Sequence, residues 1–237
     1  MVPGFLRITK GKEEIGMINL LGSALFACLA AVVSVGMARL TNQRILSDTE
    51  AEASAYTGSV RIYCLLAGVI VISAGCGWAV FDRAVSPLAV IKLGLCYFAI
   101  LGAAVIDAKL RIIPNFIPLT LICARVLIFA YELIFLDSAL QDILGSVVGC
   151  LLCGLFLVIG NKLSRGGIGG GDIKLLSCVG LLCGLYLVFT VLVLALICCC
   201  VLSLPAMLSK KLTLRNSVPF GPFIYLGYAL MCLLTLY

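Results

Sequence analysis

Two aspartates stand where apolar stretches of this sequence meet polar segments. Asp172 lies in the glycine-dense segment 164–174 between two long apolar runs, and Asp107 is the last residue of another apolar run, 65 residues earlier. A carboxylate at the edge of a membrane span is costly to keep and usually serves a function. Because the chain contains no histidine, the pair predicts an aspartyl protease that works at a membrane face.

Paired carboxylates can hydrolyse a peptide bond without a metal or a covalent nucleophile. One carboxylate accepts a proton from water, while the other holds the substrate carbonyl through its own proton. When two carboxyl groups approach closely, one is ionised and the other neutral near the working pH. The apparent pKa values then belong to the pair and not to either residue.

Three consecutive glycines, at 169–171, precede Asp172. Without a Cβ, their backbone can adopt conformations closed to other residues and approach a substrate strand closely. Irregular backbone at membrane depth is tolerated where it lines a cavity or is buried in protein, as in an intramembrane active site. Lys174 could anchor the following helix at the lipid headgroups or tune the carboxylate. Alternatively, Gly171-Asp172 is simply the start of a helix, with the aspartate as its N-cap.

The composition places the chain in a bilayer. Hydrophobic residues make up 63% and charged residues 12%, whereas a soluble domain has about 45–50% and ~25%. The formal net charge of +6 resides in loop clusters without interleaved aromatics, which indicates membrane topology and not nucleic-acid binding. We therefore expect the lipid bilayer as a partner, no nucleic acid, and no metal or other cofactor.

The apolar runs predict an all-α polytopic helical bundle of about eight transmembrane helices that forms one domain over 1–237. The sixth run, 175–208, is too long for one ordinarily tilted span, and Gly180 and Gly184 interrupt it. Splitting it brings the basic loops to one side, which the positive-inside rule makes cytoplasmic. The segment 39–61 is then a short cytoplasmic loop. Eight spans place the segment 1–16 outside, unless it lies along a membrane surface. The runs are about 17–38, 62–80, 87–106, 116–136, 139–160, 175–208 and 219–237.

Three further charges fall inside apolar runs. Lys92 lies close enough to the start of its span to snorkel to the headgroups. Arg125 and Glu132, seven residues apart on one helical face, either pair with neighbours in the bundle or mark a polar path. Cys150 and Cys153 form a C-x-x-C inside an apolar run, where one turn of a span is the better interpretation than a metal or redox site.

Three motifs in order resemble the type IV prepilin peptidase family of G-x-G-D membrane aspartyl proteases. They are an aspartate six residues before Ile-Pro-Asn, the segment Gly-Gly-Gly-Asp-Ile-Lys-Leu, and the late Val-Pro-Phe-Gly-Pro-Phe. By this resemblance Asp107 and Asp172 are the catalytic pair. The resemblance also assigns site-shaping roles to the motif glycines Gly169 and Gly171, to Pro114 and Asn115 behind the first aspartate, and to Pro219 and Gly221 as packing residues.

The resemblance implies a function at the cytoplasmic face of the inner or plasma membrane. Family members cleave the short basic leader of prepilins and pseudopilins, just after a glycine and ahead of the hydrophobic helix. Many bacterial members also methylate the new N-terminus and are similar in a cytoplasmic insert with paired C-x-x-C motifs. The segment 39–61 contains no cysteine, so peptidase activity is predicted and methylation is left open.

Two other functions remain open from the residues. A presenilin or signal-peptide-peptidase type protease shares G-x-G-D, and Pro205-Ala206-Met207 loosely resembles its later motif, but Ile106 stands where that class has a tyrosine. A small transporter could use Asp107 and Asp172 as proton or cation sites, although the chain shows no internal repeat typical of transporters. Rhomboid and zinc intramembrane proteases require histidine, which is absent.

Overall fold

The computed structural model describes residues 17, 19–39, 55–83, 86–135, 139–164, 166–208 and 219–234. These ranges contain eight helices and no strand, and five of the eight are long and apolar enough to cross a membrane. The predicted helical membrane bundle is therefore confirmed, while the number of about eight spans stays a prediction. The expectations for the segments 1–16, 40–54 and 209–218 fall outside the described residues. The prediction of a loop over 39–61 is wrong at its C-terminal end, because residues 55–61 belong to a helix that begins at Ala55. The helices are α1 (Asn19–Arg39), α2 (Ala55–Arg83), α3 (Pro87–Leu110), α4 (Phe116–Phe135), α5 (Ala139–Leu163), α6 (Gly170–Cys183), α7 (Leu185–Leu208) and α8 (Gly221–Leu234).

The long sixth apolar run is two helices, as predicted. The chain breaks at Gly184, whose φ of 84° lies in the left-handed region that favours glycine. The first of the two helices begins earlier than expected, because residues 170–174 belong to the first turns of α6 and not to a loop. With 14 residues, α6 is about 21 Å long, shorter than the ~30 Å hydrocarbon core.

Helix α3 forms the centre of the bundle and packs against α2, α4, α6 and α8. Its N-terminus is capped by Ser86, whose hydroxyl accepts the Ala89 N–H, and Pro87 occupies the first turn, where its missing N–H costs nothing. At the other end Arg111 adopts a left-handed conformation with φ 54°, and its N–H donates to the Asp107 carbonyl. The chain therefore turns sharply one residue after the helix that carries Asp107.

Glycines allow two pairs of helices to approach backbone to backbone. A Cβ on Gly149 of α5 would lie 2.9 Å from the Gly180 carbonyl oxygen of α6, and one on Gly227 of α8 would lie 2.6 Å from the Ala195 nitrogen of α7. Helix association in lipid relies on such close contacts between small residues. The short α6 and α8 are held this way against their longer neighbours.

An ion cluster joins α3, α4 and α5 in the half of the bundle away from Asp107. The fully buried Glu132 carboxylate accepts from both Lys92 and Arg125, and Arg125 also donates to the Ser146 hydroxyl at 2.7 Å. The expectation that Lys92 snorkels to the headgroups is therefore wrong, because Glu132 offers it a charged partner inside the bundle. Of the two possibilities for Arg125 and Glu132, pairing within the bundle is what the structure shows.

The C-x-x-C of α5 is one turn of an unbroken helix, as predicted. Cys153 is fully buried and Cys150 partly so. Both behave as small apolar residues within a helix that packs against α6.

Candidate active site

Asp107 lies in the last turns of α3 and is buried, with 6% of its surface exposed. Its Oδ2 accepts a hydrogen bond from the backbone N–H of Gly221 at 2.8 Å. Gly221 is the first residue of α8, and the first N–H groups of a helix have no partner within that helix. The N-terminus of α8 therefore holds the Asp107 carboxylate as helix N-termini hold anions.

Only a residue without a side chain fits at position 221. A Cβ there would lie 2.9 Å from both Cβ and Oδ2 of Asp107, and 3.3 Å from Cα of Ala104. The α3 atoms that this Cβ would meet belong to the backbone and to the short Asp107 side chain, which is held by a hydrogen bond. The predicted role of Gly221 as a packing residue thus becomes a direct contact with an aspartate.

Asp172 lies in the first turn of α6 and is 8% exposed. Its Oδ1 is buried and has no hydrogen-bond partner among the described residues. Gly169 leaves room for the other oxygen, because a Cβ on Gly169 would lie 2.8 Å from Oδ2. The N-cap of α6 is Gly169, so Asp172 lies in the first turn of the helix and the expectation that it is the N-cap is wrong. One of its carboxylate oxygens stays uncommitted among the described residues.

The two aspartates lie at the same end of the bundle. Helices α3 and α6 pack against each other, and the Asp107 carboxylate acts electrostatically on Asp172. Two buried carboxylates near enough to interact in this way are suited to acid and base chemistry on one substrate.

The loop after Asp107 is fastened to the start of α6 at two points. A Cβ on Gly171 would lie 2.8 Å from Cβ of Ile113, so the two backbones are in close contact. Next to this contact, the Lys174 ammonium donates to the Asn115 side-chain oxygen at 3.1 Å. Lys174 therefore joins the two motifs, a role that differs from both the headgroup anchor and the electrostatic tuning considered from the sequence.

The two prolines predicted to shape the site have different surroundings. The carbonyl of Pro114 accepts the Ile117 N–H at 3.2 Å and so helps to begin α4. Pro219 is partly buried two residues before Gly221. Pro114 is thus part of the loop that contacts α6, whereas Pro219 lies in the segment that enters α8.

Asn161 is a site residue that the sequence reasoning missed. Its Oδ1 accepts the Ile168 N–H at 3.1 Å, and its carbonyl accepts the Gly166 N–H at 2.9 Å. Ser164 assists by accepting the Gly167 N–H. These bonds fold the segment between α5 and α6 onto itself, immediately before Gly169. Asparagine and serine beside glycines favour such local turns. This composition is the feature of the sequence that could have indicated the role of Asn161.

Among the described residues, no group of three or more cysteine, aspartate or glutamate side chains converges as metal ligands. The candidate site contains two buried carboxylates, those of Asp107 and Asp172. The two carboxylates are surrounded by the backbone of α8, of the 111–115 loop and of the glycine segment.

Comparison with known proteins gives a consistent result. Residues 93–204 match the model of the type IV leader peptidase family. The prepilin leader peptidase/N-methyltransferase of Bacillus subtilis (strain 168) is 33% identical over 131 residues, which cover 52% of this chain and 48% of that protein. A protein of the same name from Burkholderia pseudomallei (strain 1026b) is 30% identical over 148 residues, covering 61% and 46%.

The matched region has clear limits. The chain spans about half the length of the curated relatives it matches, and no solved structure matches it significantly. Asp107 and Asp172 lie inside 93–204, whereas Pro219 and Gly221 lie beyond it. The contact between Gly221 and Asp107 therefore comes from the structure and not from the family match.

Proposed function

Since residues 93–204 match the model of the type IV leader peptidase family, we propose that the chain is an aspartyl endopeptidase of prepilins or pseudopilins. It removes a short basic leader at the cytoplasmic face, cutting after a glycine and ahead of the hydrophobic helix. The observation that carries this proposal is the pair of buried carboxylates, Asp107 and Asp172, at one end of a membrane bundle.

The hydrogen bonding suggests how the two aspartates divide the work. Asp107 accepts the Gly221 N–H, a contact that suits an ionised carboxylate, so Asp107 acts as the base. Asp172 carries the shared proton and donates it from Oδ1 to the substrate carbonyl oxygen.

Hydrolysis then proceeds in two steps. Water adds to the carbonyl carbon as it gives a proton to Asp107, which forms a tetrahedral diol. Asp107 next passes that proton to the leaving amide nitrogen, while Asp172 recovers its own proton as the carbonyl re-forms and the C–N bond breaks. Both aspartates return to their starting protonation states.

The architecture also suits the substrate. The apolar helix of a prepilin would lie in the bilayer, with its basic leader among the cytoplasmic headgroups and the scissile bond at the interface. A single membrane domain in the inner or plasma membrane is sufficient for this reaction. N-methylation, which is part of both relatives' names, is not included in the proposal.

The direct test is cleavage of a membrane substrate by the purified chain in liposomes. The substrate has a basic leader that ends in glycine before an apolar helix, and matched substrates replace that glycine by phenylalanine or the basic residues by glutamine. We expect a single cut after the glycine, identified by mass spectrometry, and at least tenfold slower cutting of both altered substrates. Failure of a folded protein to cut any of several glycine-ended leaders would refute the proposal.

Gly221→Ala should lower activity by displacing Asp107. The added Cβ would lie 2.9 Å from Asp107, so either the carboxylate or α8 must shift, and displacements of about 1 Å in a catalytic site cost up to ~100-fold. We expect kcat to fall by about 10- to 100-fold. Gly145→Ala is the matched control, because a Cβ there meets nothing within 4 Å. Equal activity of the two variants would show that Gly221 does not position Asp107.

A further inference from the structure

Two cysteines meet between the helices that carry the aspartates. Cys96 of α3 is fully buried, and Cys183, the last residue of α6, is partly exposed. Their Sγ atoms are 3.4 Å apart, and both are free thiols. The site described above uses neither of them.

Their positions along the helices mirror those of the aspartates. Cys96 precedes Asp107 by 11 residues, and Cys183 follows Asp172 by 11 residues. Eleven residues are about three helical turns, or ~16 Å, so each cysteine lies on nearly the same helix face as its aspartate. Helices α3 and α6 therefore run antiparallel, with the carboxylates at one end of their interface and the thiols deeper along it.

The thiols are close enough to become a covalent link. A disulfide requires the sulfurs to approach to ~2.05 Å, well inside the 3.4 Å observed, so the bond draws the two helices together. Cys183 directly precedes Gly184, where the helix is interrupted, and its partial exposure gives a lipid-soluble oxidant a route to the pair. Cys96, with no exposed surface, is reached only through its partner.

We propose that Cys96 and Cys183 are a redox-sensitive pair whose oxidation by a lipid-soluble quinone joins α3 to α6 and reversibly inactivates the site. The two S–H bonds break and one S–S bond forms. Both protons and both electrons pass to the quinone, which becomes a hydroquinone. A dithiol reductant reverses the reaction by thiol–disulfide exchange.

Inactivation follows from the geometry of the interface and rests on the proposed peptidase function. Because helices are nearly rigid, drawing the two sulfurs together also shifts the ends of α3 and α6 that carry the aspartates. A substrate strand must enter between these aspartates, on the same interface. Misplacement of catalytic groups by about 1 Å costs up to ~100-fold in rate. We therefore expect the bridged enzyme to be at least about tenfold slower.

The test uses the full chain in liposomes, treated with a fully substituted quinone, which cannot alkylate thiols. The bridge is identified by differential alkylation and mass spectrometry of the peptides that contain Cys96 and Cys183. Cleavage of the leader substrate is measured before oxidation, after oxidation and after dithiothreitol. Cys96→Ser and Cys183→Ser remove the pair, and the double variant Cys150→Ser/Cys153→Ser is the matched control.

We expect the wild type and the control variant to form the bridge, lose at least tenfold in rate and recover with dithiothreitol, while the two single variants do not respond. Absence of a Cys96–Cys183 bridge, or a bridge with unchanged cleavage, would overturn the proposal. If the reduced wild type does not cleave at all, the peptidase function fails, whereas the bridge itself remains measurable.

Discussion

Asp107→Asn and Asp172→Asn should each reduce cleavage by about 10³-fold or more, the scale seen when one member of a catalytic unit is removed. Asparagine has the shape of aspartate, and its side-chain oxygen at position 107 can still accept the Gly221 N–H, which now lies 2.8 Å from Oδ2. An amide, however, can neither take a proton from water nor supply one to a carbonyl. The loss should therefore appear in kcat, while the folded protein and its substrate affinity persist.

The double variant Asp107→Asn/Asp172→Asn distinguishes a catalytic pair from two independent residues. Groups that act as a unit are strongly non-additive, so we expect the double variant to be no slower than the worse single variant. Asp82→Asn is the matched control, because Asp82 is exposed and accepts from Asn19 between α1 and α2. Additive losses, or a single variant with normal activity, would show that the two carboxylates do not share one reaction.

The positions of both aspartates at helix ends could be predicted because local sequence determines where an apolar run stops. Contacts between distant segments could not be predicted in this way. Gly221 is 114 residues from Asp107, and no feature of its own segment indicates which helix its N–H will meet. The motif placed Gly221 near the site, whereas the hydrogen bond required the packing of α8 on α3.

Lys92 shows the same limitation for charged residues. Its position near the start of a span is typical of a snorkelling lysine, and this interpretation considered its own helix alone. Glu132, forty residues later in the sequence, is fully buried and accepts from Lys92. Because a buried carboxylate is costly without partners, the sequence could have predicted that Glu132 pairs with a cation. Which cation it meets depends on how α3 and α4 pack.

Asn161 was missed for a different reason. The glycines and Asp172 form the recognisable motif, whereas Asn161 lies at the end of the preceding helix and acts through the backbone of 166–168. Local turn residues are common in loops, so one more asparagine has little predictive value until its bonds are seen.

The ion cluster leads to the largest expected effect on stability. Glu132 is the acceptor for both Lys92 and Arg125, and in the cluster of these three residues it supplies the one negative charge. Glu132→Gln would leave two cations facing each other inside the bundle. Lys92 is 18% exposed and can turn toward the surface, whereas Arg125 is fully buried and cannot. Breaking a buried pair in this way costs about 3–5 kcal/mol.

We therefore expect Glu132→Gln to lower the free energy of unfolding by about 3 kcal/mol, measured by denaturant titration in mixed micelles, with Asp82→Asn as the control at an exposed carboxylate outside the cluster. The triple variant Lys92→Met/Arg125→Met/Glu132→Leu should recover most of this loss, because replacing a whole buried ion cluster by apolar residues is often neutral. Ser146 can then bond within its own helix. A triple variant as unstable as Glu132→Gln would contradict this explanation. Removing all three charges together should restore stability if the loss in Glu132→Gln comes from unbalanced charge alone.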